Sequence, residues 1–398
     1  MDFSLTDTQK LVRQAAREFV DREVMPNIRE WESSGKGYPR EMLGMMADMG
    51  FMGAPIPEEY GGQGLDYVSF AHICEELERG DTSFRVVMSV HVGLNSLTLL
   101  QWGTEEQKRK YLVPQAKGEK VAGFGLTEPD AGSDVASMKT SARRDGGDYV
   151  INGSKIWISL ADVADHFLVV AQMDPAKRHR GLAAFIVERG MKGFSSAPIH
   201  GKLGVRAGNT GMLMFDDLRV PAENRLGEEG EGFHVAMSAL DMGRFTVGTG
   251  AVGMAQACLD LSVDYANSRH TFGQVIGKHQ LVQEMIATMH AGVESARLLC
   301  YKAAWLKNQG LRSTRETSLA KWYACDVATK AADAAIEIHG AYAYSNELPF
   351  ERYWRNARGA EIYEGTREIH KLMQAEYALG YRQDRPPRRP YPKAQEYV

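Results

Sequence analysis

The chain has 398 residues, with 47 Lys+Arg against 51 Asp+Glu, a formal net charge of −4, and 44% hydrophobic and 25% charged residues. This is ordinary globular composition, which excludes a disordered, collagen-like or disulfide-scaffold protein. The mildly acidic balance gives no electrostatic case for nucleic acid as a partner, and at roughly 150 residues per domain two or three domains are expected.

No uninterrupted apolar run long enough to span a bilayer is evident, so membrane insertion is not expected. The start, Met1-Asp2-Phe3-Ser4, lacks the basic segment and apolar core of a signal peptide, and no Arg-rich transit segment follows. Cys74, Cys258, Cys300 and Cys325 have no C-x-x-C spacing and are expected to be reduced and buried, with the cytoplasm as the default compartment.

The first third reads as helical. Thr6 with Gln9 forms a capping box, followed by Leu11, Val12, Ala15, Ala16, Phe19 and Val20 at helical spacing, with Pro26 ending the run. Further helices are expected near 40–50, 66–79, 84–101 and 105–117, around a Gly/Pro-rich loop at 55–64. From about 120 the texture changes. Strands are expected at Thr140–Arg144, Tyr149–Ile151, Lys155–Ser159, Phe167–Gln172, Leu182–Glu188 and Met212–Phe215, with turns at 145–147 and Asn152-Gly153. Short strands without intervening helices suggest an antiparallel barrel or sandwich. After Pro221 long helices return, one ending at Gly310 and an alanine-rich one from Thr314 to about Ile338, which suggests a four-helix bundle. The layout is an N-terminal helical domain (1–120), a middle antiparallel β-barrel-like domain (121–230), a C-terminal helical bundle (231–381) and a Pro/Arg-rich tail (382–398) outside the core.

Two motifs are decoys. Gly248-Thr249-Gly250-Ala251-Val252-Gly253 matches G-x-G-x-x-G but sits in helical texture without a preceding strand, so close helix packing is the better reading. The eleven histidines include no H-E-x-x-H and no Cys/His pairing, so no metal is expected. Three segments are more informative. Phe124–Val135 is a Gly-, Thr- and Asp-rich loop suited to lining a polar ligand, or an elaborate turn. Trp157 could belong to the core or offer a face to a flat cofactor, with Ser159 beside it. Glu364 could be a solvated loop charge, or, flanked by Ile362 and Tyr363, a partly desolvated base. Thr366 reads as the N-cap of a last helix.

Together these segments resemble the acyl-CoA dehydrogenase family from about residue 3 to about 381. The motifs are P-E-E-Y-G-G-x-G at 57–64, F-G-L-T-E-P-D-A-G-S-D at 124–134, N-G-S-K-I-W-I-S at 152–159, R-H-T-F-G at 269–273 and I-Y-E-G-T at 362–366, in the family's order. The resemblance implies FAD, an acyl-CoA substrate, electron-transfer flavoprotein as acceptor, and a homotetramer built as a dimer of dimers. It implies that Phe124, Leu126, Thr127, Gly132 and Ser133 line flavin and substrate, that Trp157 stacks on the isoalloxazine, and that Ser159 reaches its N5 and O4 region. It places Arg269, Phe272 and Gln280 on the FAD of a neighbouring subunit, and Glu337, Gly340, Ala341, Thr366 and Glu368 among further cofactor contacts. Leu240, Asp241, Arg244, Tyr363 and Gly365 would line the acyl-CoA channel. The chain departs from the family pattern at Ser159 (often Thr), Leu160 (often Asn), Glu337 (often Gln) and His339-Gly340-Ala341 (usually a Gly-Gly pair).

The resemblance implies that Glu364 removes the α-proton of the thioester. Some members carry that base at the position of Gly243, where this chain has no side chain to do so. A fold relative using oxygen, or a non-catalytic binding or assembly protein, are the alternatives. Arg85 bears on substrate choice. With Ser83 as expected N-cap, Arg85 falls in a helix's first turn, where a cation opposes the macrodipole. Locally, an ion pair to Glu78 or Asp81 accounts for it. Arg85-Val86-Val87-Met88-Ser89-Val90 also resembles the R-x-x-M-S-V segment of glutaryl-CoA dehydrogenases, and Glu78 and Ser89 match positions in that pocket. This implies a short dicarboxylyl-CoA such as glutaryl-CoA, with a plain short- or medium-chain acyl-CoA dehydrogenase as the alternative.

Overall fold

A computed structural model describes residues 3–395; the expectations at Met1 and Asp2 and at the last three residues of the tail lie outside them. The N-terminal part is helical: α1 (Asp7–Phe19), α2 (Ile28–Ser33), α3 (Glu41–Asp48), α4 (Tyr67–Gly80), α5 (Thr82–Val87), α6 (Leu97–Trp102), α7 (Glu105–Gln107) and α8 (Val113–Ala116). Thr6 closes the expected capping box with Gln9. Wider, π-helical turns over Met88–Ser96 and Lys108–Leu112 join α5 to α6 and α7 to α8. The stretch Thr82–Trp102 is long and apolar enough to cross a membrane by length and composition, against the sequence expectation. It is packed inside the protein, where it supplies core rather than a lipid-facing surface.

The middle part is β1 (Ala122–Gly125), β2 (Ser141–Asp145), β3 (Asp148–Ser159), β4 (His166–Gln172), β5 (Leu182–Glu188), β6 (Phe194–Pro198), β7 (Thr210–Pro221) and β8 (Arg225–Leu226). They form one sheet in the order β6-β7-β3-β2-β4-β5-β8, with β1 beside β4. The sheet is mixed rather than purely antiparallel. β1 runs parallel to β4, and β2 meets β4 in parallel at Ser141 and Gln172, because the β2–β3 hairpin intervenes between β1 and β4. The turn expected at Asn152-Gly153 is not formed. β3 runs through it as one strand, bulged at Gly153 (φ 138°), where a side chain would meet the Thr140 Cα at 2.7 Å.

α9 (Gly232–Ser268) begins the C-terminal part. The small ribbon β9 (His270–Thr271) and β10 (Gln274–Val275) leads to α10 (Gln280–Asn308), α11 (Thr314–His339), α12 (Phe350–Ala360) and α13 (Arg367–Ala378). α9, α10 and α11 pack side by side, with α12 and α13 against α11. α9 enters both hydrophobic cores, one through Val235–Phe245 and the other through Val247–Ala266. The G-x-G-x-x-G glycines lie inside α9 and allow close packing, as expected. A Cβ at Gly253 would meet the Glu75 backbone oxygen of α4 at 2.0 Å, and one at Gly248 the Lys321 backbone nitrogen of α11 at 3.2 Å. All four cysteines are buried and unpaired. The tail is exposed over 381–390 but not throughout: Pro392 is buried, and its carbonyl accepts a bond from the Tyr67 hydroxyl (3.4 Å).

Candidate active site

Glu364 lies in the turn between α12 and α13. Thr366 caps α13 as expected, its hydroxyl accepting from the Ile369 N–H at 3.4 Å. Glu364 takes a left-handed backbone (φ 56°), which costs a non-glycine residue energy and so marks a position fixed by its surroundings. Two cations hold the turn through its carbonyls. Arg244 Nε on α9 donates to the Glu364 carbonyl (2.9 Å), and Lys321 Nζ on α11 donates to the Gly365 carbonyl (2.8 Å).

The carboxylate turns inward. Its Oε2 is buried and has no hydrogen-bond partner among the described residues. It occupies the space that a side chain at Gly243 would fill: a Cβ there would lie 2.0 Å from Oε2 and 2.8 Å from Leu94 Cδ2. Gly243 faces Gly93 in the π-helical segment, so two helices close on each other at this point. Burial pushes the Glu364 carboxyl up to about 7, against the downward pull of Arg85, Lys321 and Arg244.

Arg85, bonded to Tyr363 beside Glu364, is 1% exposed. Its Nε donates to Glu78 Oε2 (2.5 Å), Nη1 to Ser89 Oγ (2.7 Å) and Nη2 to the Tyr363 hydroxyl (2.6 Å). Ser89 and Thr246 hydroxyls are 2.5 Å apart, and Thr82 donates to the other Glu78 oxygen (2.6 Å). Three of the five guanidinium N–H donors are thus used. Burial opposes the Arg85 charge, but Glu78, Tyr363 and Glu364 outweigh it, and the guanidinium is held firmly protonated. Gly250 makes room for the pair, since a Cβ would come within 2.8 Å of Glu78 Oε2. The local reading of Arg85 is correct for Glu78 and wrong for Asp81, which pairs with Arg352 (3.2 Å) and Asn356 (3.0 Å). Ser83 is not the N-cap. Asp81 caps α5 by accepting from the Ser83 N–H at 2.8 Å, and Arg85 follows as the fourth helical residue.

The other channel candidates sit on α9 near the turn. Leu240 is buried, and Asp241 accepts from Arg244 Nη1 (3.3 Å) and the Thr314 hydroxyl (2.6 Å).

A second cluster forms where β1 meets β3. Phe124 and Leu126 are buried, Thr127 is half-buried, and the Ile156 N–H donates to the Thr127 carbonyl (2.9 Å). Trp157 is 58% exposed although β3 is an inner strand. A bulge between Lys155 and Ile158 and a positive φ of 62° turn its indole outward. Ser159 is half-buried, Gly132 and Ser133 are exposed, and a Cβ at Gly132 would meet nothing within 4 Å. An open indole face beside a loop of backbone amides and hydroxyls fits a planar, polar-edged ring such as a flavin.

Arg269, Phe272 and Gln280 lie on the exposed β9–β10 ribbon and the start of α10, with Phe272 97% exposed. Glu337, Gly340 and Ala341 are exposed at the end of α11, and Glu368 at the start of α13. Among the described residues nothing covers Phe272.

Sequence reasoning missed two lysines. Lys155, fully buried, donates to the Leu126 carbonyl (3.1 Å) and Glu128 Oε1 (2.7 Å), and so ties the loop to β3. Lys321 holds the Glu364 turn. Its signal is a lysine on the buried, alanine-rich face of α11, where a charge must have a partner.

Sequence models of the acyl-CoA dehydrogenase N-terminal, middle and C-terminal domains match residues 6–119, 123–218 and 230–379. The chain is 44% identical over 373 residues to the short-chain-specific acyl-CoA dehydrogenase of Clostridium acetobutylicum, covering 94% of this chain and 98% of that one. It is 38% identical to a glutaryl-coenzyme A dehydrogenase solved with glutaryl-CoA, with a TM-score of 0.92 and all of both chains covered. A chain from structural work on the electron transferring flavoprotein of Acidaminococcus fermentans is 41% identical, with a TM-score of 0.93, covering 95% of this chain and 100% of that one. With three domain models in order and relatives matched along nearly their whole length, the chain belongs to the acyl-CoA dehydrogenase family and is an oxidoreductase of acyl-CoA thioesters.

Proposed function

We propose that the protein oxidises a short acyl-CoA at its Cα–Cβ bond, with Glu364 as the base and Arg85 selecting a dicarboxylyl group such as glutaryl. The observation that carries this reading is the buried Glu364 carboxylate, its Oε2 without a partner among the described residues, held by its turn in the notch at Gly243 with its pKa raised to about 7. A carboxylate poised near neutrality is matched to removing a weakly acidic α-proton. Burial of its surroundings strengthens every charge interaction there.

FAD is the cofactor of the family, and when bound it supplies the hydride acceptor for the β-carbon. Trp157 would hold the flavin's flat ring, with Thr127, Gly132, Ser133 and Ser159 on its polar edge. Phe272, Arg269 and Gln280 would reach the FAD of a neighbouring subunit in a homotetramer, with Glu337, Gly340, Ala341, Thr366 and Glu368 as further contacts. Electron-transfer flavoprotein is the proposed acceptor, in keeping with the likeness to the A. fermentans chain. In the chain itself, Arg244 and Lys321 keep the Glu364 turn rigid, Asp241 orients Arg244, and Leu240 and Gly365 border the acyl path.

Arg85 supports the dicarboxylate reading because two of its N–H donors are left over beside Tyr363. A plain short-chain acyl-CoA dehydrogenase is the second reading, favoured by Glu78, which already neutralises Arg85. The deciding experiment measures kcat/KM for glutaryl-CoA and butyryl-CoA in wild type and Arg85→Gln. Preference for glutaryl-CoA that collapses in the variant supports the first reading. Faster butyryl-CoA turnover, with little response to the substitution, supports the second.

A further inference from the structure

The turn that carries Glu364 is flanked by an imidazole with no part in the proposed chemistry. His370 is the fourth residue of α13 and is fully buried. A Cβ at Gly365 would lie 3.0 Å from its Nε2 and 3.5 Å from Nη2 of Arg244, so the ring and the guanidinium both crowd this glycine. The turn itself is strained, with φ at 56° for Glu364 and 102° for Gly365. Such a backbone persists only where the surroundings over-determine it. Arg244 and Lys321 supply two restraints through the carbonyls, and His370 stands against the same two residues of the turn.

The two ring nitrogens have different surroundings. Nδ1 lies 2.9 Å from the Ser318 hydroxyl on α11, and Ser318 and Lys321 share one face of that helix, three residues apart. Nε2 is buried and has no hydrogen-bond partner among the described residues. A polar atom kept buried in this way calls for a reason beyond packing.

The reason follows from where the proton sits. Burial and the cations of Lys321 and Arg244 push the imidazole well below its usual range, with the Glu364 and Gly365 carbonyls opposing, so the ring is neutral and carries a single N–H. With that hydrogen on Nδ1, the Nε2 lone pair would face the oxygens of Glu364 and Gly365. With Ser318 donating to Nδ1, the hydrogen is on Nε2 and its positive end faces them instead. The sulfur of Met373, 3.8 Å from Ser318 Oγ, is too weak an acceptor to compete for that hydroxyl.

We propose that His370 is a positioning residue for the base. Its Nε2–H, set by Ser318, faces the Glu364 and Gly365 carbonyls and keeps the turn in the shape that sends the Glu364 carboxylate into the notch at Gly243. The proposal rests on the reading of Glu364 as the base.

The experiment compares FAD-loaded wild type, His370→Gln, His370→Asn, Ser318→Ala and Glu364→Gln on whichever of glutaryl-CoA and butyryl-CoA wild type oxidises faster, measuring kcat, KM and the melting temperature. The amide of glutamine can place an N–H where Nε2–H stands, whereas the shorter asparagine reaches only the position of Nδ1. His370→Asn should lower kcat about tenfold or more with KM within about twofold of wild type, and His370→Gln should recover most of that loss at a similar melting temperature. Ser318→Ala, which leaves the ring in place but frees its tautomer, should lower kcat several-fold. Equal losses in the glutamine and asparagine variants overturn the proposal, because a purely structural imidazole would behave that way. So does a wild-type kcat in Ser318→Ala, which decides the matter where neither His370 variant folds. Near-wild-type turnover by Glu364→Gln refutes the base itself, while an inactive Glu364→Gln beside an unaffected His370→Asn refutes only the role of His370.

Discussion

The Glu364 carboxylate occupies the volume of the missing side chain at Gly243, with Oε2 2.0 Å from where a Cβ would be. The two positions are 121 residues apart in sequence, and the glycine is what allows the carboxylate to be buried there. Gly243→Ala should therefore displace Glu364 while leaving FAD in place. A shift of the base by about an ångström is expected to lower kcat by about 10²-fold, with overpacking costing about 1–3 kcal/mol of stability. Steady-state kinetics and a melting curve on the same preparation check both.

The ionisation of Glu364 should set the acid limb of the pH profile. Its carboxyl is raised to about 7 because burial disfavours the charge more than Arg85, Lys321 and Arg244 favour it. The base must be ionised to act, so kcat/KM should rise with pH through an apparent pKa near 7 and fall about tenfold per unit well below it. A profile flat from pH 5 to 8 on a stable enzyme would remove Glu364 as the titrating base.

Trp157 can be separated from a core residue by its exposure. With the indole 58% exposed, Trp157→Ala should leave the melting temperature of the apoprotein nearly unchanged. FAD affinity should fall by about tenfold or more through lost stacking and area. Fluorescence titration of FAD and calorimetry of the apoprotein together distinguish the roles.

Lys155→Met removes the partner of a buried carboxylate. Glu128 would keep its bonds from the Lys139 N–H (2.6 Å) and Thr140 N–H (3.0 Å) but lose its cation. The expected cost is about 3 kcal/mol, at the low end for breaking a buried pair, measured by urea unfolding. FAD retention should fall with it, because Lys155 also fixes the Leu126 carbonyl.

What the sequence revealed depended on how local each determinant is. The helices of both ends were legible because caps and apolar periodicity are local signals, as at Thr6 with Gln9 and at Thr366. Asn152-Gly153 misled because its glycine answers a tertiary demand, the close approach of Thr140, rather than a turn. β6 was missed because Phe194–Pro198 is a half-exposed edge strand without apolar alternation. The Ser83 cap was misplaced by two residues because Asp81 both caps α5 and pairs with Arg352. Within the site, Glu364 and Arg85 were legible through the family motifs that carry them, since their neighbours alone left a solvated loop charge and a local ion pair open. Lys321, Lys155 and the notch at Gly243 depend on contacts between distant elements, which no local pattern records.

The most direct measurement is anaerobic mixing of FAD-loaded wild type and Glu364→Gln with glutaryl-CoA and butyryl-CoA, following the flavin absorbance. The account predicts rapid bleaching in wild type with at least one of the two. In the variant, the thioester should still bind and perturb the flavin spectrum, with bleaching slower by orders of magnitude, because the amide cannot accept the α-proton. Bleaching of Glu364→Gln at close to the wild-type rate would contradict it.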